Sequence, residues 1–203
     1  MSSLSFHQAR RTLLLAGLPL LLSLNACSKS EPKLDFKGVD LTGANYGRNF
    51  RLKDPDGKER TLADFKGKVV MLFFGFTQCP DVCPTALTRA AEVHRQLGAK
   101  ANELQVLFVT VDPERDTPEI LKAYTAAFDS AFLGLYGDLA TTAATAKEFK
   151  AFYAKVPTGS SYTMDHSAFT YMFDKAGRLR LALRHTQTTA EFAADAKTLI
   201  EST

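Results

Sequence analysis

The chain has 203 residues, 45% hydrophobic and 23% charged, which are the proportions of one globular domain or at most two. Its net charge of +3 includes Arg10 and Arg11; without them 23 basic residues face 22 acidic ones, which argues against a broad basic face for nucleic acid. No apolar run reaches the roughly 18 residues of a spanning helix, and no repeat of about 20–50 residues occurs, so a protein crossing the membrane several times and a solenoid are both excluded.

Residues 1–26 have the parts of a secretory signal peptide: Arg10 and Arg11, then an apolar stretch from Leu13 to Leu24, then small residues. The segment Leu24-Asn25-Ala26-Cys27 resembles a bacterial lipobox, in which the cysteine is lipidated and becomes the mature N-terminus. An ordinary signal peptide cut nearby and an uncleaved short anchor are the alternatives. Residues 27–38 are polar and lack periodicity, as expected of a lipid-anchored tether, and residues 39–203 form the folded domain. The expectation is an exported domain held at a bacterial cell membrane, facing the periplasm or another extracytoplasmic space.

Along the domain, Phe50–Leu52 and Arg60–Leu62 flank Asp54-Pro55-Asp56-Gly57, which predicts an N-terminal hairpin. Val69–Phe76 and Leu104–Val111 are continuous apolar runs of strand length, the pattern of strands buried on both faces. Between them Thr85 to Leu97 reads as a helix. Thr117 and Pro118 cap and open a second helix to about Phe128. A short strand at 133–136, a helix over Thr142–Tyr153 and an extended or hairpin-like excursion over Pro157–Met164 follow. Phe169–Phe173 and Leu179–Leu183 flank a turn at Asp174-Lys175-Ala176-Gly177, and a helix over Thr189–Ile200 closes the chain. Strands alternating with helices, then a hairpin and a last helix, predict an α/β three-layer sandwich with a mixed central sheet. A buried strand leading into a cysteine-bearing turn and a helix is the thioredoxin-like layout.

With Cys27 assigned to lipid, two thiols remain, Cys79 and Cys83, four residues apart. They either make a disulfide or hold something as thiolates. At a helix start, residues so spaced share a face, and the unpaired N–H groups there favour the thiolate. Thioredoxin-like oxidoreductases normally place two residues between their cysteines; the three found here make a wider loop able to chelate a metal, without forbidding a disulfide. Two thiolates leave a metal under-coordinated, so a further ligand is required. Of the four histidines, His7 lies in the leader, His94 in mid-helix and His185 at a strand end. His166, after the 157–164 excursion and beside Asp165, is the remaining candidate. Two thiolates and one imidazole form a soft three-ligand set that favours copper over a four-ligand structural zinc site. Asp165 either orients His166 or caps a turn beside Ser167.

These motifs carry a family resemblance. The stretch Gly67–Leu87, with Thr77-Gln78-Cys79-Pro80-Asp81-Val82-Cys83-Pro84, resembles the signature of the Sco/SenC family. Val111-Asp112-Pro113-Glu114-Arg115-Asp116-Thr117-Pro118 resembles its second block, and Asp165-His166-Ser167 with Tyr171-Met172-Phe173-Asp174 its third. Asp40–Gly43 and Phe50–Leu52 also fit, so the resemblance spans roughly residues 39–200. It implies a membrane-tethered, thioredoxin-like copper protein, with copper, as Cu(I) or Cu(II), bound by Cys79, Cys83 and His166. It further implies a role in cytochrome c oxidase assembly, either delivering copper to the dinuclear CuA centre of the copper-bearing subunit or reducing that centre's cysteines. Another copper carrier is an alternative partner. The same residues fit a metallochaperone, a thiol–disulfide oxidoreductase with Cys79 and Cys83 as its redox pair (joined as a disulfide when oxidised and metal-free), or a redox or copper sensor. The Asp112–Pro118 block reads as a loop that packs or closes near the site.

Overall fold

The computed structural model describes residues 34–202; the expected signal peptide, Cys27 and the start of the tether lie outside them. Among the described residues four α-helices surround a six-stranded mixed sheet, the α/β architecture that the pattern predicts. In chain order the strands are β1 (Val39–Asp40), β2 (Leu52–Lys53), β3 (Glu59–Arg60), β4 (Val69–Gly75), β5 (Leu104–Thr110), β6 (Leu133–Leu135), β7 (Tyr153–Thr158), β8 (Ser161–His166), β9 (Phe169–Phe173) and β10 (Leu179–Arg184). The helices are α1 (Val82–Leu97), α2 (Pro118–Ala126), α3 (Leu139–Glu148) and α4 (Thr189–Glu201). The sheet order is β1-β10-β9-β4-β5-β6, with β4, β5 and β6 parallel and β9, β10 and β1 added antiparallel.

The apolar runs decide the centre. All seven residues of β4 are buried, and they pair with β5 in register from Val69 opposite Leu104 to Gly75 opposite Thr110. Alternate side chains leave opposite faces of the strand. Phe74 meets Phe149 and Tyr171 edge-on at 5.3 and 6.2 Å, while Phe73 packs with Phe108 at 6.3 Å. Helix α1 buries Cys83, Ala86, Leu87, Ala90 and Val93, one stripe at helical spacing, and packs against α4.

Turn chemistry explains the hairpins. The buried Asp54 carboxylate accepts the N–H groups of Asp56 and Lys58 and the Arg60 Nε–H, so β2 and β3 meet over two residue pairs, shorter than the predicted strands. Asp174 does the same for β9–β10, accepting from Ala176, Arg178 and Arg180. The third helix departs from expectation: it begins at Leu139, capped by Asp138, and ends at Glu148 rather than Tyr153. Lys150 adopts φ 52°, which stops the helix, and Tyr153 opens a strand instead. The predicted excursion is therefore a full hairpin, β7–β8, registered from Tyr153 opposite His166 to Thr158 opposite Ser161. It belongs to no other sheet.

Phe149 is fully buried, with Phe74, Tyr171 and Phe173 at 5.3, 5.7 and 6.0 Å. Phe149→Ala is expected to destabilise the domain by about 3–5 kcal/mol in urea unfolding with an unchanged slope. A loss below about 1 kcal/mol would contradict this packing.

Candidate metal centre

The end of β4 and the start of α1 make the cysteine half of the site. Cys79 lies in the loop, half-buried, and its N–H donates to the Phe76 carbonyl at 3.2 Å. Helix α1 starts at Val82, three residues before the predicted Thr85, so Cys83 is its second residue, and it is fully buried. A helix leaves its first N–H groups without internal partners. No side chain caps this one; the Cys83 N–H donates instead to Cys79 Sγ at 3.4 Å. Room for the buried sulfur comes from Gly75, where a Cβ would stand 2.7 Å from Cys83 Sγ and 2.7 Å from the Phe108 ring.

Hairpin β7–β8 makes the histidine half. Tyr162, Met164 and His166 alternate onto one face of β8, with Met164 buried, while Asp165 lies on the other and is exposed. His166 Nε2 is 3.5 Å from Cys83 Sγ. Its Nδ1 faces the Ser167 carbonyl at 3.1 Å; a carbonyl only accepts, so Nδ1 carries the proton and Nε2 presents a lone pair to the sulfurs. Ser167, rather than Asp165, thus orients the ring. Phe73 and Phe76 enclose it, each edge-on at 5.9 Å.

Cys79, Cys83 and His166 therefore converge, each offering one ligand atom, all within 4.8 Å of one another. A shared ion with bonds of about 2.0–2.3 Å needs ligand atoms up to about 4 Å apart in a trigonal set, so side-chain adjustment of under about 1 Å closes the site. His94 and His185 lie elsewhere. His94 pairs with Asp129 at 2.8 Å, and the Nδ1 of His185 is buried without a hydrogen-bond partner.

The two thiols are unequal. The hydrogen bond from Cys83 lowers the Cys79 pKa to about 5, against the opposing effect of burial, with the N–H groups of Cys83 and Asp81 adding to the lowering. The same sulfur–sulfur interaction, together with burial, drives Cys83 strongly upward. Cys79 is thus the thiolate and Cys83 the thiol that holds the shared proton. Both are free in this structure, so the disulfide expected of an oxidised form is not the state described.

The loop after β5 contains what sequence reasoning missed. Buried Asp116 accepts the Thr77 N–H at 3.1 Å and hydroxyl at 2.6 Å, and also the Thr110 hydroxyl, tying the loop before Cys79 to the end of β5. Burial pushes its carboxyl up, opposed by these bonds. A run of acidic and turn residues carries no local sign of that role.

Comparison with known proteins finds similar sequences and folds. Residues 39–201 match the family model described as SCO1/SenC. A SCO2-like protein of Rickettsia felis is 36% identical over 165 residues, 80% of each chain. The copper-bound structure of Bradyrhizobium japonicum ScoI is 42% identical, with a TM-score of 0.70 over 76% of this chain and 99% of that one. Copper-bound yeast Sco1 is 32% identical, with a TM-score of 0.70 over 78% and 90%.

Because the Cys79 pKa is lowered, its reactive thiolate is present above about pH 5 and is lost as pH falls through that value. Iodoacetamide modification of the reduced, metal-free protein is expected to centre near pH 5 at Cys79 and to spare buried Cys83. A profile near an ordinary thiol's about 8.5 would contradict the assignment. Gly75→Ala is expected to displace the Cys83 sulfur and to cost about 1–3 kcal/mol of stability in thermal or urea unfolding.

Proposed function

The chain belongs to the SCO1/SenC family, and from that premise we propose that it is a copper-binding protein of cytochrome c oxidase assembly, a metallochaperone that holds one copper ion as cargo through Cys79, Cys83 and His166. The observation that carries this reading is the convergence of two sulfurs and an imidazole nitrogen within 4.8 Å. Among the described residues no fourth His, Cys, Asp or Glu joins them, as a closed structural zinc site would require. Thiolates with one imidazole suit copper, and the rings of Phe73 and Phe76 give the site apolar walls. The copper bound to relatives 42% and 32% identical supports the same metal.

Half-exposed Cys79 is the ligand an incoming carrier meets first, and buried Cys83 the one released last. The family resemblance supports the copper-bearing subunit of cytochrome c oxidase as receiver, with another copper carrier as the alternative. Delivery there suits an exported domain: residues 1–26 as a signal peptide, lipid on Cys27, residues 27–38 as a tether and 39–203 as the copper-binding domain facing the periplasm or extracytoplasmic space. Among the described residues no helix is long and apolar enough to cross a membrane.

One observation favours a second activity at the same site. A half-exposed thiolate beside a buried thiol is the arrangement of a disulfide reductase. The Cys79 thiolate would attack a partner disulfide, breaking its S–S bond and forming a mixed disulfide. Cys83, losing its proton to His166 Nε2 at 3.5 Å, would then attack the Cys79 sulfur. The products are a Cys79–Cys83 disulfide and a partner dithiol, two electrons having passed to the partner.

His166→Ala separates the roles. Copper affinity, measured by competition with a chelator on the reduced protein, is expected to fall more than about 100-fold, since even outer partners of metal ligands are worth about 10–100-fold. The mixed disulfide at Cys79 should still form. Retention of one copper with unchanged affinity and spectrum would refute the three-ligand site.

A further inference from the structure

The structure assigns Arg115 as the positioning residue that holds the histidine half of the site against the cysteine half, an inference that rests on the copper reading above and extends it to a residue outside the ligand set. Hairpin β7–β8 shares no backbone ladder with the six-stranded sheet, so something other than strand pairing must set where His166 stands. Arg115 bridges the two halves. Its Nη1 donates to Gln78 Oε1 at 3.0 Å, beside Cys79, and to the Tyr162 carbonyl at 2.8 Å, on β8 four residues before His166. Its Nε donates to the carboxylate of Asp112, whose side chain is fully buried.

The other oxygen of that carboxylate accepts the Tyr162 hydroxyl at 2.8 Å, and the guanidinium lies 3.7 Å over the Tyr162 ring and 5.8 Å from the ring of Phe76. Phe76 is also one of the two rings that enclose His166. One planar cation thus touches the cysteine loop, the histidine strand and the aromatic wall. Tyr162 and His166 share a face of β8, so a shift of the strand at Tyr162 carries directly to the imidazole. A lysine keeps the charge but offers no planar fork to serve three acceptors together.

Two variants test this, with far-ultraviolet circular dichroism to check folding. Arg115→Lys removes the fork, and Tyr162→Phe removes one hydroxyl while keeping the ring, so it carries the test where the first variant does not fold. In the metal-free protein, nuclear Overhauser contacts of the His166 ring with Phe73 and Phe76 are expected to weaken, while those between Phe74 and Phe149 persist. Copper affinity is expected to fall about 10–100-fold in Arg115→Lys and less in Tyr162→Phe. In a His166→Ala background neither change should weaken copper further, because the clamp acts through the imidazole. Unaltered ring contacts, or an equal loss of affinity in both backgrounds, would overturn the assignment. A wild-type protein that takes up no copper would remove the functional reading, and the ring contacts of the metal-free protein would still decide the clamp.

Discussion

The site depends on a contact across a gap that no backbone ladder spans: the imidazole of His166, carried by a separate hairpin, facing the buried sulfur of Cys83 at 3.5 Å. Each side is prepared by its own element. The absent side chain of Gly75 leaves space for the sulfur, and the alternation of β8 aims His166 inward with Met164. A slip of one residue in the β7–β8 register would present Asp165 instead, replacing a soft nitrogen ligand with a hard oxygen. The Ser167 carbonyl then chooses which nitrogen is free.

Unequal protonation of two neighbouring thiols gives the site its direction. The helix start and the Cys83 donor stabilise charge on the more exposed sulfur, while burial keeps the proton on the inner one. An outer thiolate is ready for an incoming metal or disulfide, and the inner thiol engages only after losing a proton. Metal transfer and thiol exchange would both draw on this one electrostatic arrangement, so the same three residues support both proposed readings.

Much of this was legible in the sequence where the physics is local. The unbroken apolar runs of β4 and β5 marked the centre of the sheet, Thr117 and Pro118 marked the start of α2, and the spacing of Cys79 and Cys83 marked a shared helix face. What stayed hidden is non-local. The stop at Lys150 has no glycine to announce its φ of 52°, so the sequence pattern runs α3 on to Tyr153 and gives no sign of the start of β7. Asp165 was the natural neighbour for His166 in the chain, yet the strand's alternation turns it outward. The Asp112–Asp116 segment resembles an ordinary polar loop in sequence, because its partners Thr77, Gln78 and Tyr162 lie 39, 37 and 50 residues away along the chain.

X-ray absorption spectroscopy of the copper-loaded domain tests the central claim most directly, because it counts the atoms around the ion without altering the protein. Two sulfur scatterers and one imidazole nitrogen at a single copper are expected. A shell of sulfur alone, or of nitrogen and oxygen without both sulfurs, would contradict it.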